Sequence, residues 1–227
     1  MIQGYGLLIG ICMVAIGVVV LNMKLVLKNP CKSLKTICFL LFAFSLFRYF
    51  TLIVYGDSPS YEQLVSLRYF YFATSIGLTM TMASAIWYVV PLYQSKIIFM
   101  KYLALFTPWI LFYLVILLRQ PTRIVQGKDY GYVLELLPPY SFYLAIMQSA
   151  FIGIAFLLCV VGIVKYKHIE IRVKLFVFVL AQWILLLDGL TYFLPILHTF
   201  PPFTVSEVIG FLAIGYGLSG GEVRGKL

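Results

Sequence analysis

Seven long apolar stretches, separated by short polar ones, make up most of the chain: residues 2–22, 36–55, 66–92, 99–118, 141–164, 174–197 and 204–220. A helix rises about 1.5 Å per residue, so roughly 20 apolar residues cross a hydrocarbon core of about 30 Å. Each stretch therefore predicts a membrane-spanning helix, because every backbone N–H and C=O in hydrocarbon needs an internal partner. A β-barrel would show short strands of alternating polarity, and runs such as residues 6–21 show none. The pattern predicts an all-α fold: one domain over residues 1–227, a polytopic membrane protein built as a seven-transmembrane-helix bundle. The longest intervening segment, residues 119–140, is too short to hold a catalytic domain.

Composition narrows the class. The chain is 63% hydrophobic and 11% charged, far from the balance of a soluble domain. Its net charge of +9 is unevenly placed. Lys24, Lys28, Lys32, Lys35, Lys96, Lys101, Lys165, Lys167, Arg172, Lys174, Arg224 and Lys226 all fall on one side if seven helices alternate. The other side holds Arg119, Arg123 and Lys128, with Arg68 near its boundary. By the positive-inside rule this predicts an outside N-terminus and a cytoplasmic C-terminus, in a multi-pass cell-membrane protein. The positive charge also suits anionic lipid headgroups of the bilayer and is no argument for nucleic acid. The first stretch lacks a basic leader and a small-x-small cleavage site, so it reads as a permanent helix rather than a signal peptide. Cys12, Cys31, Cys38 and Cys159 lie in spans or at the cytoplasmic side, so no exofacial disulfide is expected.

Local punctuation adds detail. Gly6 and Gly10 form GxxxG in the first helix, and Gly210, Gly215 and Gly217 thin the seventh. Small residues permit close helix approach, within one chain or in a homodimer, with packing inside the monomer the simpler use. Pro91, Pro108 and Pro195 predict kinks or helix ends. Trp87, Tyr88 and Trp109 read as interfacial anchors and bundle packing. The outer connections are residues 56–63 (GDSPSYEQ), 119–140 and 198–203 (HTFPPF). The middle one carries Tyr130, Tyr132, Val133 and Leu134, a Gly-Lys-Asp turn signal, then Pro138 and Pro139. It suits a lid or short hairpin over the bundle mouth, or an inert connector.

Ionisable residues inside spans are the sharpest chemical clue, since an ionised side chain at the bilayer centre costs roughly 2.5–3.5 kcal/mol on insertion scales and normally faces a partner. Arg48 lies twelve residues into the second span and Asp188 fourteen into the sixth, both running outward, so the two sit at similar depth and are expected to meet directly or through a shared water cluster. Glu207 and Arg68 lie a few turns above, near the outer ends of spans seven and three. Two readings fit these charges: an ion pair that fixes helix packing, or a polar, ligand-binding cavity open to the outside and walled by Tyr49, Trp183 and Tyr192. In the second, Asp188 and Glu207 would read a cationic group, Arg48 and Arg68 an anionic one.

Enzyme signatures fail. The sequence has no HExxH, no P-loop and no paired intramembrane aspartates. Residues 217–220 spell GLSG, the GxSG pattern of rhomboid proteases, but that chemistry needs a histidine base beside Ser219. His198 is a membrane thickness away and His168 sits in a cytoplasmic loop, so the chain is not expected to be an enzyme. A rhodopsin-like reading fails because the seventh span lacks a lysine for a retinal Schiff base, and no cofactor or metal is expected.

The order of spans resembles a known region. Residues 47–92 pass from an aromatic helix end through a polar loop to LRYFYFATSIGLTMTMASAIWYVVPLY. Residues 169–219 run from IEIRVK, with Arg172, through LTYFLP and PPFTVSEV, where Thr204 to Ser206 start the last helix, to GFLAIGYGLSG. Together they resemble the seven-transmembrane N-terminal sensor region of bacterial and archaeal histidine kinases, here without the kinase module, since only residues 221–227 follow the last span. The resemblance implies signal transduction by a non-enzymatic, receptor-like sensor. It would detect a small molecule, peptide or lipid from outside and pass the signal to a separate kinase or other output protein, and it assigns no ligand residues. The alternative is a membrane subunit of a transport or immunity complex, which a polar track continuous between both faces would favour.

Overall fold

The structure, a computed structural model, describes residues 2–126, 131–191 and 203–219. The chain is mainly helical: α1 (Ile2–Leu27), α2 (Lys32–Gly56), α3 (Tyr61–Leu67), a 3-10 turn (Arg68–Phe70), α4 (Ala73–Val89), α5 (Pro91–Lys96), α6 (Phe99–Ala104) and α7 (Thr107–Arg119). An antiparallel hairpin of β1 (Thr122–Gln126) and β2 (Tyr132–Leu136) follows, then α8 (Tyr140–Lys165), α9 (Ile169–Thr191) and α10 (Thr204–Leu218). Five segments are long and apolar enough to cross a membrane: Gly4–Leu27, Lys32–Gly56, Tyr61–Val89, Tyr140–Lys165 and Ile169–Leu190. Two shorter apolar helices, α7 and α10, accompany them.

Two of the predicted continuous spans are interrupted. The third starts as α3, capped by Ser60: its N–H donates to Gln63 Oε1 at 2.8 Å, and the Gln63 N–H donates back to Ser60 Oγ at 3.3 Å. It tightens into a 3-10 turn at Arg68 and restarts as α4 beyond Tyr71 and Phe72. The fourth divides at Leu105 and Phe106, because Pro108 falls in the first turn of α7, where its missing N–H costs nothing and its ring blocks continuation from α6. Pro91 acts alike: α4 stops at Val89 and α5 starts on the proline. Pro195 lies outside the described residues.

Helix α4 is the axis of the bundle, buried around almost its whole circumference. It touches α2, α10, α9, α8 and α7, while α1 bridges α2 and α10 on the outside. Its sequence explains that position. Small side chains let neighbours approach, and its hydroxyls are satisfied within the helix: Thr81 donates to Gly77 O at 2.6 Å and Ser84 to Met80 O at 2.7 Å. Gly77 is the tightest crossing; a Cβ there would lie 2.9 Å from the Leu41 carbonyl of α2 and closer still to Ser45 Oγ.

The glycines of the last helix are used as expected. Gly210 faces Leu78, Gly215 admits Asn22 of α1, and Gly217 admits Phe178 of α9. Gly6 and Gly10 are not: a Cβ at either would meet no atom within 4 Å, so GxxxG faces away from the bundle instead of packing inside the monomer. The aromatic anchors are partly tertiary clasps, with Trp109 Nε1 donating to Met147 O at 2.7 Å and Trp87 Nε1 to Ile97 O at 3.0 Å.

Segment 119–140 forms the hairpin. Thr122 pairs with Leu136 and Gln126 with Tyr132. With side chains alternating across the ribbon, Leu134 and Leu136 turn to the bundle, while Glu135 pairs with Arg123 at 2.7 Å on the exposed side. Gly131 docks the ribbon on the end of α2, where its N–H donates to Gly56 O at 3.4 Å and a Cβ would lie 2.2 Å from the Tyr55 carbonyl.

Candidate functional site

A buried polar cluster joins α2, α4 and α10. Arg48, deep in α2, places Nε 3.1 Å from Glu207 Oε2 of α10, with both side chains almost fully buried. Its Nη1 donates to the carbonyl of Tyr71, in the break before α4, and the guanidinium lies 5.1 Å from the Tyr71 ring centre. The interruption of the third span is thus tied to the cation. Backbone that leaves helical geometry in an apolar interior needs a new partner, and Arg48 supplies one. Glu207 is satisfied from three directions, accepting also from Thr74 Oγ1 at 2.6 Å and Tyr49 OH at 3.3 Å. It sits in the first turn of α10, where the positive end of the helix dipole favours a carboxylate. Phe203, just before that turn, holds a left-handed φ of 68°, a conformation rare outside glycine that persists only where its surroundings enforce it.

Beside the cluster lies a partly open cavity of about 130 Å³ lined by α4, α8, α9, the start of α10 and the hairpin. Leu134 and Leu136 form its roof, Leu144, Ile152 and Leu185 its sides, and Arg48 and Glu207 part of one wall. A smaller chamber of about 40 Å³ shares Ser75, Gln148 and Glu207 with it and continues toward Thr79 and Gln182. Gln182 is buried, and its Oε1 has no hydrogen-bond partner. Gln148 Nε2 donates to Tyr113 OH of α7 at 3.3 Å.

The predicted site residues separate. Arg48 and Glu207 meet, so the ion pair of Arg48 is with Glu207 and not the expected one with Asp188. Asp188 instead accepts from Ser206 Oγ across the seam between α9 and α10. Glu207, placed by the rise along the spans a few turns above Arg48, is instead within hydrogen-bond reach of it, because α10 packs between α1, α4 and α9 and brings the carboxylate to the arginine. Glu207 is correspondingly engaged within the protein rather than free to read a cation. Tyr49 supports Glu207 from outside the cavity lining. Trp183 is half exposed and stands edge-on to Phe156 at 6.4 Å. It follows Gln182 by one residue, about 100° around the helix, so it turns outward where Gln182 turns inward. Arg68 lies in the 3-10 turn with its guanidinium 5.3 Å from the Tyr69 ring centre, away from the cavity lining. Tyr192 lies outside the described residues.

Thr74, Gln148 and Gln182 are the residues that charge counting missed. The signal for two of them was present: Gln148 and Gln182 are the lone amides in the otherwise apolar cores of α8 and α9. Among the described residues no three His, Cys, Asp or Glu converge as metal ligands. No protein-family model, curated protein or solved structure matches the chain.

Proposed function

We propose that the protein is a seven-span membrane receptor, N-terminus outside, that binds a small ligand in the cavity beneath the hairpin and signals to a separate protein on the cytoplasmic side of the plasma membrane. The observation that carries this reading is the cavity itself, roofed by Leu134 and Leu136 and bounded by four helices and the Arg48–Glu207 pair. α7 and α10 complete the count of seven, as the two shorter apolar helices. The likeness to histidine-kinase sensor regions supports the same reading and points to a kinase-type output.

A path from the cavity to the opposite membrane face favours a receptor over a scaffold. α9 and α10 both line the cavity at one end. At the other end Lys174 Nζ of α9 donates to Ser219 O at the close of α10, at 2.6 Å, while it pairs with Glu170 at 3.0 Å. A ligand that binds one spacing of α9 and α10 better than another shifts their arrangement by that difference in affinity, and the lysine clasp lies at the far end of the same two helices.

The test places a photo-crosslinking residue at position 167, between α8 and α9, in living cells, with and without Ala145→Trp, which fills the cavity. Capture of a discrete signalling protein whose yield the tryptophan changes severalfold supports the receptor. Capture of transport subunits, or a yield the tryptophan leaves unchanged, refutes it.

A further inference from the structure

The cavity also defines the class of molecule it takes, an argument that rests on the receptor reading above. Both charges on its wall are already engaged. Glu207 holds Arg48, Tyr49 and Thr74, and Arg48 holds Glu207 and the Tyr71 carbonyl. A charged ligand would enter an apolar space with no counter-charge left to meet it, which is strongly unfavourable. Thr79 Oγ1 in the deeper chamber turns back into its own helix, donating to Ser75 O at 2.6 Å. Gln148 donates to Tyr113.

One polar atom of the deeper chamber stands apart. Gln182 is 2% exposed, lines that chamber, and its Oε1 accepts no hydrogen bond. A buried acceptor left without a donor is costly, so its complement is a molecule that donates one hydrogen bond at its deep end. Much of the remaining surface is Leu, Ile and Phe, interspersed with small hydroxyls such as Ser75 and Ser141, which makes the bulk of the ligand apolar. Size follows from the main chamber: about 130 Å³ is comparable to the roughly 150 Å³ engineered cavity that takes benzene, so one small ring fills it. We infer that the cavity binds a small uncharged ring compound of the phenol type, its hydroxyl or N–H seated on Gln182 Oε1.

The experiment compares 4-fluorophenol, fluorobenzene and 4-fluorobenzoate by ¹⁹F NMR on the full chain in lipid nanodiscs, with Ala145→Trp as the blank for partition into lipid. The expected result is saturable 4-fluorophenol binding that Ala145→Trp abolishes, with fluorobenzene weaker by roughly tenfold, about the worth of one good buried hydrogen bond. Gln182→Leu should remove that preference while fluorobenzene still binds, which shows that the variant is folded. Equal binding of phenol and benzene probes overturns the donor assignment and means that water satisfies Gln182, leaving the receptor reading intact. Preferred binding of the benzoate overturns the uncharged class. If no probe binds in a way that Ala145→Trp blocks, the ligand class falls, while the crosslinking test at position 167 decides the receptor reading separately.

Discussion

Replacing Arg48 by Met should be among the most destabilising changes in this chain, and replacing Glu207 as well should recover part of the loss. Both partners are nearly solvent-free, with side chains 3% and 5% exposed, so the attraction is not screened. Removing one member of such a pair costs about 3–5 kcal/mol, mostly because the other charge is stranded. Arg48→Met leaves Glu207 with the Thr74 and Tyr49 hydroxyls, and should fall near the low end. Glu207→Leu strips the buried guanidinium of its counter-charge, and should fall near the high end. The double variant strands no charge but orphans the Tyr71 carbonyl, a penalty of about 1–3 kcal/mol. Set against single losses of about 3 and about 5 kcal/mol, the smaller penalty of the double variant means that the two effects couple by about 5 kcal/mol or more, well beyond the ~0.5 kcal/mol scatter of independent sites. Reversible unfolding in mixed micelles, followed through the fluorescence of the three tryptophans, measures all four corners of the cycle. Additive losses would refute the pairing, and an Arg48→Met loss under ~1 kcal/mol would show that the cation is solvated.

Two further outcomes follow from the packing and the charge pattern. Gly77→Ala puts a Cβ against Ser45 Oγ and 2.9 Å from the Leu41 carbonyl, so it should destabilise by about 1–3 kcal/mol in the same unfolding assay. Adding Ser45→Ala should return part of that loss, and no rescue would mean that the Leu41 backbone is the obstacle. With native cysteines removed, Arg123→Cys in the hairpin should react in intact cells with a membrane-impermeant thiol reagent, and Lys167→Cys only after lysis. The reverse pattern would invert the topology.

The cluster and the cavity share the hairpin end of the bundle. The ion pair ties α2 to α10 and closes the break before α4, which holds the cavity wall in place without offering a free charge to a ligand. The hairpin roof rests on α2 through Gly131 and reaches into the cavity through Leu134 and Leu136. In the proposed receptor, recognition is left to shape and to the amide of Gln182.

The sequence by itself determined the helical membrane class, the position of most of the long apolar helices and the presence of Arg48 and Glu207 as ionisable residues inside them. Those properties follow from local quantities, namely the length of apolar runs, the rise per residue and the cost of an isolated charge in hydrocarbon. It also exposed the turn signals behind the hairpin and the prolines that start α5 and α7. Only the tertiary structure decided which acid Arg48 pairs with, since the rise along the spans put Asp188 nearest its depth, whereas the choice depends on which helix lies beside α2 and how each is rotated. The same holds for the break at Tyr71 and Phe72, which makes sense only once an arginine from another helix takes the freed carbonyl. It holds as well for Gln182 and Trp183, adjacent in the chain yet on opposite sides of α9, one inside the cavity and one outside: hydropathy along a chain records how deep a side chain lies, and only packing records which way it turns.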